Sequence, residues 1–265
     1  MGIGYQNMNL PSTLTKDLIR RSFDRARNTY AKAAKVQAEV ARICASRIPE
    51  GSYPRILEIG AGGGVLTRFL AKRCTHERYI GVDIAPGMLT QVDKSMLTNP
   101  KLIAADGEFL GFPQDSFDLL ASSSTMQWYR APEISMVDNV RLLKRGGRFS
   151  FAIFVEGTFA ELSEASGKSG FGSMLPMRSA RFFIDIMQDA APAILESEVI
   201  THIAHHPTVA DLLRAHRATG ATAAPGAKHP SKEAYRRFLE YYEAHFREEK
   251  GVRASAEILY LWGQW

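Results

Sequence analysis

The sequence predicts an α/β protein organised on a parallel sheet, and three observations carry that prediction. Between residues 55 and 154, short apolar runs alternate with segments of helical periodicity, the pattern of right-handed βαβ units. The first apolar run ends in an acid and enters a glycine turn, Glu58-Ile59-Gly60-Ala61-Gly62-Gly63-Gly64. Glycines there let the backbone bend sharply and approach a ligand. Acids or hydroxyls recur at the ends of the next runs, at Asp83, Asp106 and Ser122-Ser123, where open parallel sheets bind their ligands.

The elements follow in order. Residues 1–14 carry no periodicity and are expected to be mobile. From Lys16 to Arg47, Phe23, Ala26, Tyr30, Ala33, Ala34 and Val40 recur at helical spacing. Pro49-Glu50-Gly51-Ser52 breaks that helix. Strands are expected at Ile56–Ile59, Tyr79–Asp83, Leu102–Ala105, Phe117–Ser122 and Arg148–Phe154. A helix from Val65 to Lys72 follows the first strand, and another follows Pro86, a residue suited to a first helical turn. The helix Pro132–Leu143 is expected to stop at Lys144-Arg145-Gly146-Gly147, basic residues followed by glycine. Residues 157–195 look like loop and helix, Val209–Arg217 and Lys232–Phe246 like helices, and Thr219–Pro230 like a loop. Two further apolar runs, Ile194–Ile203 and Ala256–Trp262, read as strands. A single domain over 15–265 is the economical division, with its core at 50–155 and a helical lid and last strands at 156–265.

The chain of 265 residues is 45% hydrophobic and 23% charged, enough apolar content for a full core. No apolar run approaches the ~20 residues of a membrane span, and no signal or myristoylation pattern is expected, since Gln6 follows Met1-Gly2 at the position that needs Ser or Thr. Cys44 and Cys74 fall in expected helices without metal or redox spacing, which suits reduced thiols and a cytoplasmic location. Adjacent His205 and His206 would point to opposite faces of a strand, so no metal site is expected. Residues 16–35 hold Lys16, Arg20, Arg21, Arg25, Arg27, Lys32 and Lys35 against Asp17 and Asp24, a net +5 that equals the formal charge of the whole chain. Such a face attracts an acidic partner, although a charge run by itself is more often a solvated helix face. No aromatic interleaving or nucleic-acid motif accompanies it.

The glycine turn limits the ligand. A dinucleotide site needs G-x-G-x-x-G, and here Val65 occupies the third glycine's position while Glu58 would face the phosphates. A nicotinamide cofactor is therefore disfavoured and a cationic ligand favoured. E-x-G-x-G-x-G resembles the first motif of the class I S-adenosylmethionine (SAM) methyltransferases, and the likeness extends over about residues 55–155. The resemblance implies a Rossmann-like, mostly parallel sheet of seven strands with the last antiparallel, helices on both faces and a helical lid. It also implies cofactor contacts. Glu58, Gly60 and Gly62 would form the turn, Asp83 would accept the ribose hydroxyls, and Ile84, Met88, Leu110 and Phe112 would sandwich the adenine. Asp106 and Gly107 would meet the adenine amine, and Ser122 and Ser123 would line the cleft. Taken singly, a glycine turn is often only a tight turn, and an acid after a strand is often a helix cap.

The flanks resemble a narrower group, the malonyl-[acyl-carrier protein] O-methyltransferases of biotin synthesis. Ser22-Phe23-Asp24-Arg25-Ala26 with Thr29-Tyr30 and Gln37 is similar to that family's N-terminal helix. Met126-Gln127-Trp128, Glu156-Gly157-Thr158-Phe159 with Glu161-Leu162, and Leu212–Thr222 are similar to its later motifs. Two stretches depart: Gly172-Ser173-Met174-Leu175-Pro176 has Ser173 where the family often has arginine, and Ser255-Ala256 stands where it often has Thr-Tyr. Arg178 or Arg181 would be the natural substitutes. The resemblance implies an acidic acyl-carrier protein bearing a malonyl group as partner, with no nucleic acid and no membrane.

Substrate contacts are then expected from Tyr30, Gln127, Trp128 and Arg217, with Tyr30 also closing the cofactor site. The residues alone leave Tyr30 open as a core aromatic, Gln127 and Trp128 as loop packing, and Arg217 as surface charge. An ionised carboxylate needs no general base, so alignment rather than an acid–base dyad is expected to carry the chemistry, and no catalytic residue is assigned. Arg20, Arg21, Arg25 and Arg27 would steer the carrier, unless Arg25 faces the cofactor site instead. Methylation of another small carboxylate or a quinone precursor, or a silent carrier-binding scaffold, stays open.

Overall fold

A computed structural model describes residues 11, 14–172, 174–221 and 231–265. The expected mobility of residues 1–14, apart from Pro11 and Leu14, lies outside them, as do Ser173 and most of the loop expected at Thr219–Pro230. Leu14 is fully buried with Ile19, so order begins before the first helix.

The central sheet contains strands β1 (Arg55–Ile59), β2 (Arg78–Asp83), β3 (Pro100–Ala104), β4 (Phe117–Ser123), β5 (Leu143–Phe154), β6 (Ile194–His206) and β7 (Gly251–Gln264). They lie in the order β3-β2-β1-β4-β5-β7-β6. The first five run parallel to one another, and β7 runs antiparallel between β5 and β6. The sheet has eight strands rather than the expected seven. The extra one is the two-residue strand Arg247–Glu248, folded back on β7. Gly251 permits this return: its φ is +122°, and a Cβ there would meet the His206 carbonyl oxygen at 2.2 Å.

Side chains alternate across the sheet and build a core on each face. On one face Leu57, Leu120, Phe149, Phe151 and Leu259 pack against Met136 and Val140 of α6 (Pro132–Val140) and Phe183 and Met187 of α8 (Ala180–Asp189). On the other, Ile56, Leu119, Ala152 and Tyr260 pack against Val40, Ala41 and Cys44 of α3 (Lys35–Ser46) and Leu70 of α4 (Thr67–Arg73). Full burial of one such side chain contributes about 1.5–3 kcal/mol. A third cluster joins Leu162 of α7 (Ala160–Ser169), Leu212 of α9 (Val209–Ala218) and Phe238 and Tyr242 of α10 (Lys232–Phe246) to Val252 and Ala254. These helices fall in the stretch where a helical lid is expected.

Several boundaries differ from expectation for local reasons. The single helix expected from Lys16 to Arg47 is three: α1 (Lys16–Ala26), α2 (Tyr30–Ala33) and α3. The break follows Ala26, where the Thr29 hydroxyl lies 3.0 Å from the Ala26 carbonyl and 2.8 Å from that of Ala218. It recurs at Ala34, whose ψ of 48° is not helical. Breaking there lets α1 cross the strand ends while α3 lies under β4 and β5. Helix α6 stops at Val140, and Lys144–Gly147 belong to β5 as a bulge, because Phe117 pairs with Leu143 while Leu119 pairs with Arg148. Gly146 turns the bulge at φ +83° and donates to the Trp265 carbonyl at 2.7 Å. Cys74 lies in a two-residue strand rather than a helix, and both cysteines are buried and free. Among the described residues no helix is long and apolar enough to cross a membrane.

Candidate functional site

The carboxyl ends of β1, β2, β3 and β4 meet beneath α1. The glycine turn after β1 is fixed from below, since the amides of Gly60 and Ala61 both donate to the Val82 carbonyl at 2.8 and 2.9 Å. Gly60 has φ +74°, and a Cβ on it would collide with Thr125 Oγ1 at 1.8 Å. At the end of β2, Asp83 accepts from the amides of Gly62 and Ala85, each at 2.8 Å. Burial raises its carboxyl to about 6 against the pull of those two amides. Ile84 and Met88 extend this wall through α5 (Pro86–Leu89).

After β3, Asp106 and Gly107 turn inward. A Cβ on Gly107 would lie 2.6 Å from Ile59 Cγ2 and 2.7 Å from the Tyr129 hydroxyl, so the close passage requires glycine. Tyr30, Gly60, Gly62, Asp83 and Ile84 line one inner cavity, and Met88, Asp106, Gly107 and Ser123 line the same one.

Glu58 and Ser122 do not reach that wall. Both are 1% exposed. Glu58 Oε2 accepts from Thr67 Oγ1 at 2.6 Å and from the Tyr79 hydroxyl, tying β1 to α4 and β2. Its Oε1 is buried with no partner among the described residues. Burial pushes this carboxyl up to about 7, against those hydrogen bonds. Ser122 Oγ donates to the Ile59 carbonyl at 2.9 Å and holds β4 to β1.

A second, outer cavity of about 330 Å³ adjoins the first. Phe23, Tyr30, Ser124 and Trp128 line both. Phe23 meets Trp128 edge-on at 5.7 Å and Tyr30 at 6.5 Å, giving the boundary an aromatic wall. Tyr30 is half-buried, and burial, followed by the Asp83 charge, raises its phenol well above the usual value. Gln127 and Arg217 line the outer cavity with Phe159, Leu162 and Phe171. Among the described residues, Gln127 Oε1 is buried without a hydrogen-bond partner and Arg217 makes no ion pair. Neither proposed substitute arginine lines it. Arg178 donates to the carbonyls of Tyr129 and Arg130 at 3.0 and 3.2 Å, and Arg181 pairs with Asp185 at 2.7 Å.

Other lining residues escaped the sequence reading. Lys16 reaches the inner cavity from α1, and Ser124 and Thr125 follow β4. Gln37 and His216 line the outer one, and burial lowers His216 to about 4, which keeps its imidazole neutral. Ser124 has φ +59°, a left-handed conformation uncommon for serine. Nothing in the serine-rich run Ser122-Ser123-Ser124 singled out that position. The basic face is partly neutralised: Asp17 pairs with Arg20 at 2.7 Å and Arg21 at 2.8 Å, while Arg25 is exposed.

Known proteins resemble this chain at two levels. A family profile described as Methyltransferase domain matches residues 57–151. The malonyl-[acyl-carrier protein] O-methyltransferase of Geobacter sulfurreducens is 33% identical over 258 residues, covering 91% of this chain and 96% of that one. That of Paenibacillus sp. is 28% identical, covering 96% and 99%. The biotin biosynthesis bifunctional protein BioCD of Bordetella avium is 29% identical over 93% of this chain and 52% of its own. Among solved structures, Bacillus subtilis YcgJ protein superposes with a TM-score of 0.59 at 14% identity, covering 85% and 97%. Haemonchus contortus phosphoethanolamine N-methyltransferase 2, in complex with S-adenosylhomocysteine, gives 0.58 at 16% identity, covering 95% and 60%.

Proposed function

This chain belongs to the malonyl-[acyl-carrier protein] O-methyltransferases, SAM-dependent enzymes, and on that premise we propose that it esterifies the free carboxyl of a malonyl group carried by an acyl-carrier protein. The observation that carries the proposal is the pair of adjoining cavities. The inner one holds the acids suited to a nucleoside, and the outer one holds Arg217, which makes no ion pair among the described residues, in an otherwise largely apolar wall.

The inner residues fit SAM. Asp83 is held by two amides and keeps acceptor capacity for both ribose hydroxyls. Ile84 and Met88 supply apolar contact for the adenine, and Asp106 supplies an acceptor for its amine. Gly62 and Gly63 leave room for close approach to the methionine part, with Tyr30 beside Gly63, while Gly60 lets the turn pack against Thr125. Glu58 Oε1, buried with no partner among the described residues, remains a spare acceptor at the end of β1. When bound, the cofactor supplies a methyl made electrophilic by a sulfonium.

The residues of the outer cavity do the rest. A malonyl carboxylate is ionised near neutral pH and needs no base. Arg217 seats it, and Gln127 and Trp128 fix its approach to the shared wall. Aromatic closure by Phe23, Tyr30 and Trp128 keeps water from the transfer line. Alignment of this kind supplies up to about 7–11 kcal/mol of barrier lowering. Exposed Arg25 and Arg21, on a segment of net positive charge, steer an acidic carrier in the cytoplasm. Esterification removes the charge, so the product resembles a fatty-acyl primer and can be extended towards pimelate for biotin synthesis.

Incubation with SAM and malonyl-loaded carrier, followed by intact-mass analysis, tests this. A gain of one methyl, absent with an acetyl-loaded carrier, is expected. No gain with the malonyl form would overturn the substrate assignment.

A further inference from the structure

Lys16 opens α1, and its placement is costly for the helix. A cation in the first turn opposes the helix dipole, and Thr15 caps that turn without it by accepting from the Leu18 amide. The side chain instead crosses to the ends of β3 and β4. Its Nζ lies 3.1 Å from Asp106 Oδ1, pairs with Glu108 and sits 5.4 Å from the centre of the Tyr129 ring. Lys16, Ile19 and Phe23, one stripe of α1, form a wall of the inner cavity.

The two acids differ in how much they need Lys16. Glu108 also accepts from the amides of Arg130 and Ala131 at 2.9 Å and from Ser135 Oγ at 3.1 Å. Asp106 has Lys16 as its only described cation, and its other bond is from the Glu108 amide at 3.1 Å. Both contacts fall on Oδ1, which leaves Oδ2 as the acceptor for a ligand.

We propose that Lys16 is a positioning residue for cofactor selection: by holding Oδ1 of Asp106 it aims Oδ2 at the 6-amino group of the adenine ring. The inference rests on the assignment of Asp106 to that amino group. Lys16 therefore contributes to discrimination between a 6-amino and a 6-oxo purine, beyond anchoring α1.

Calorimetric titration with S-adenosylhomocysteine and with S-inosylhomocysteine, which carries an oxo group in place of the amine, separates these effects. The wild type should favour the adenine form. Lys16→Met should weaken the adenine form about tenfold and the inosine form less than about twofold, so that most of the preference disappears. Lys16→Arg should restore much of it, and Lys16→Gln serves in place of the Met variant should that one fail to fold. Equal loss for both ligands would mean that Lys16 only anchors the helix, and would overturn the inference. Asp106→Asn tests the underlying assignment. If it leaves the preference intact, the role of Asp106 fails. If it abolishes the preference while Lys16→Met does not, only the role of Lys16 fails.

Discussion

The Gly62 amide donates to Oδ2 of Asp83 at 2.8 Å, binding the glycine turn after one strand to the acid at the end of the next. The Ala85 amide holds Oδ1 at the same distance. The carboxylate is thus oriented before any ligand arrives, and the turn and the acid are set by one another.

Asp83→Ala removes this orientation and the ribose acceptors together. Hydrogen bonds to a charged group are each worth about 1.5–3 kcal/mol. Affinity for S-adenosylhomocysteine should fall by about one to two orders of magnitude, and Asp83→Asn, which keeps one acceptor, should lose less. Calorimetry checks both.

The same acid predicts a pH dependence of binding. Burial holds Asp83 up at about 6, and binding requires its ionised form. Below that value, affinity for S-adenosylhomocysteine should decline by up to about tenfold per pH unit. Asp83→Asn should bind more weakly at neutral pH and lose this dependence. A wild-type affinity flat from neutral pH down to about 5 would contradict the assignment.

Stability carries a second pH signature through Glu58. Its carboxyl titrates at about 7 in the fold against an ordinary 4.5. The folded chain keeps the proton where the unfolded chain has released it. The associated stability is complete below 4.5 and is lost as pH rises through about 7. Glu58→Gln keeps an acceptor for Thr67 and Tyr79 but does not ionise. In melts at acidic and alkaline pH, the wild-type apoprotein should lose stability relative to this variant as pH rises.

Gly60→Ala should destabilise the fold by about 1–3 kcal/mol, because the added methyl enters the space of Thr125 while φ stays positive. A thermal melt measures the loss. Thr125→Ala, combined with the substitution, should recover part of it, because it removes the Oγ1 and Cγ2 atoms that the added methyl would meet.

Arg217→Met should raise KM for malonyl-loaded carrier by about tenfold or more with little change in affinity for S-adenosylhomocysteine. Arg25→Glu should weaken use of the carrier at low salt and much less at high salt. Steady-state kinetics at two ionic strengths distinguishes a seat for the carboxylate from steering of the carrier.

The alternation of strands and helices was legible because burial imposes different periods on each. That Asp83, Asp106 and Gly62 line one cavity was legible because strand ends converge in a parallel sheet. Other features arise only when distant segments meet. Lys16 sits 90 positions from Asp106, and as part of a basic run it gave no sign of pointing inward. The helix break at Thr29 depends on the Ala218 carbonyl of another helix. Glu58 carried the right motif, yet Thr67 and Tyr79 draw one of its oxygens away from the cleft. His216 stood beside Arg217 in the sequence, but its neutrality follows from burial against Phe159, 5.0 Å away.

The aromatic wall between the cavities also divides the chain's freedom to vary. On its inner side the surface comes from α1, Tyr30 and the strand ends before residue 130, and much of the outer surface comes from residues 154–238. Changes in the outer stretch, such as those around Gly172 and Met174, can reshape the outer cavity while leaving the acids and glycines of the inner one untouched. Phe23, Tyr30, Ser124 and Trp128 line both cavities, so a change at any of them reshapes the two at once.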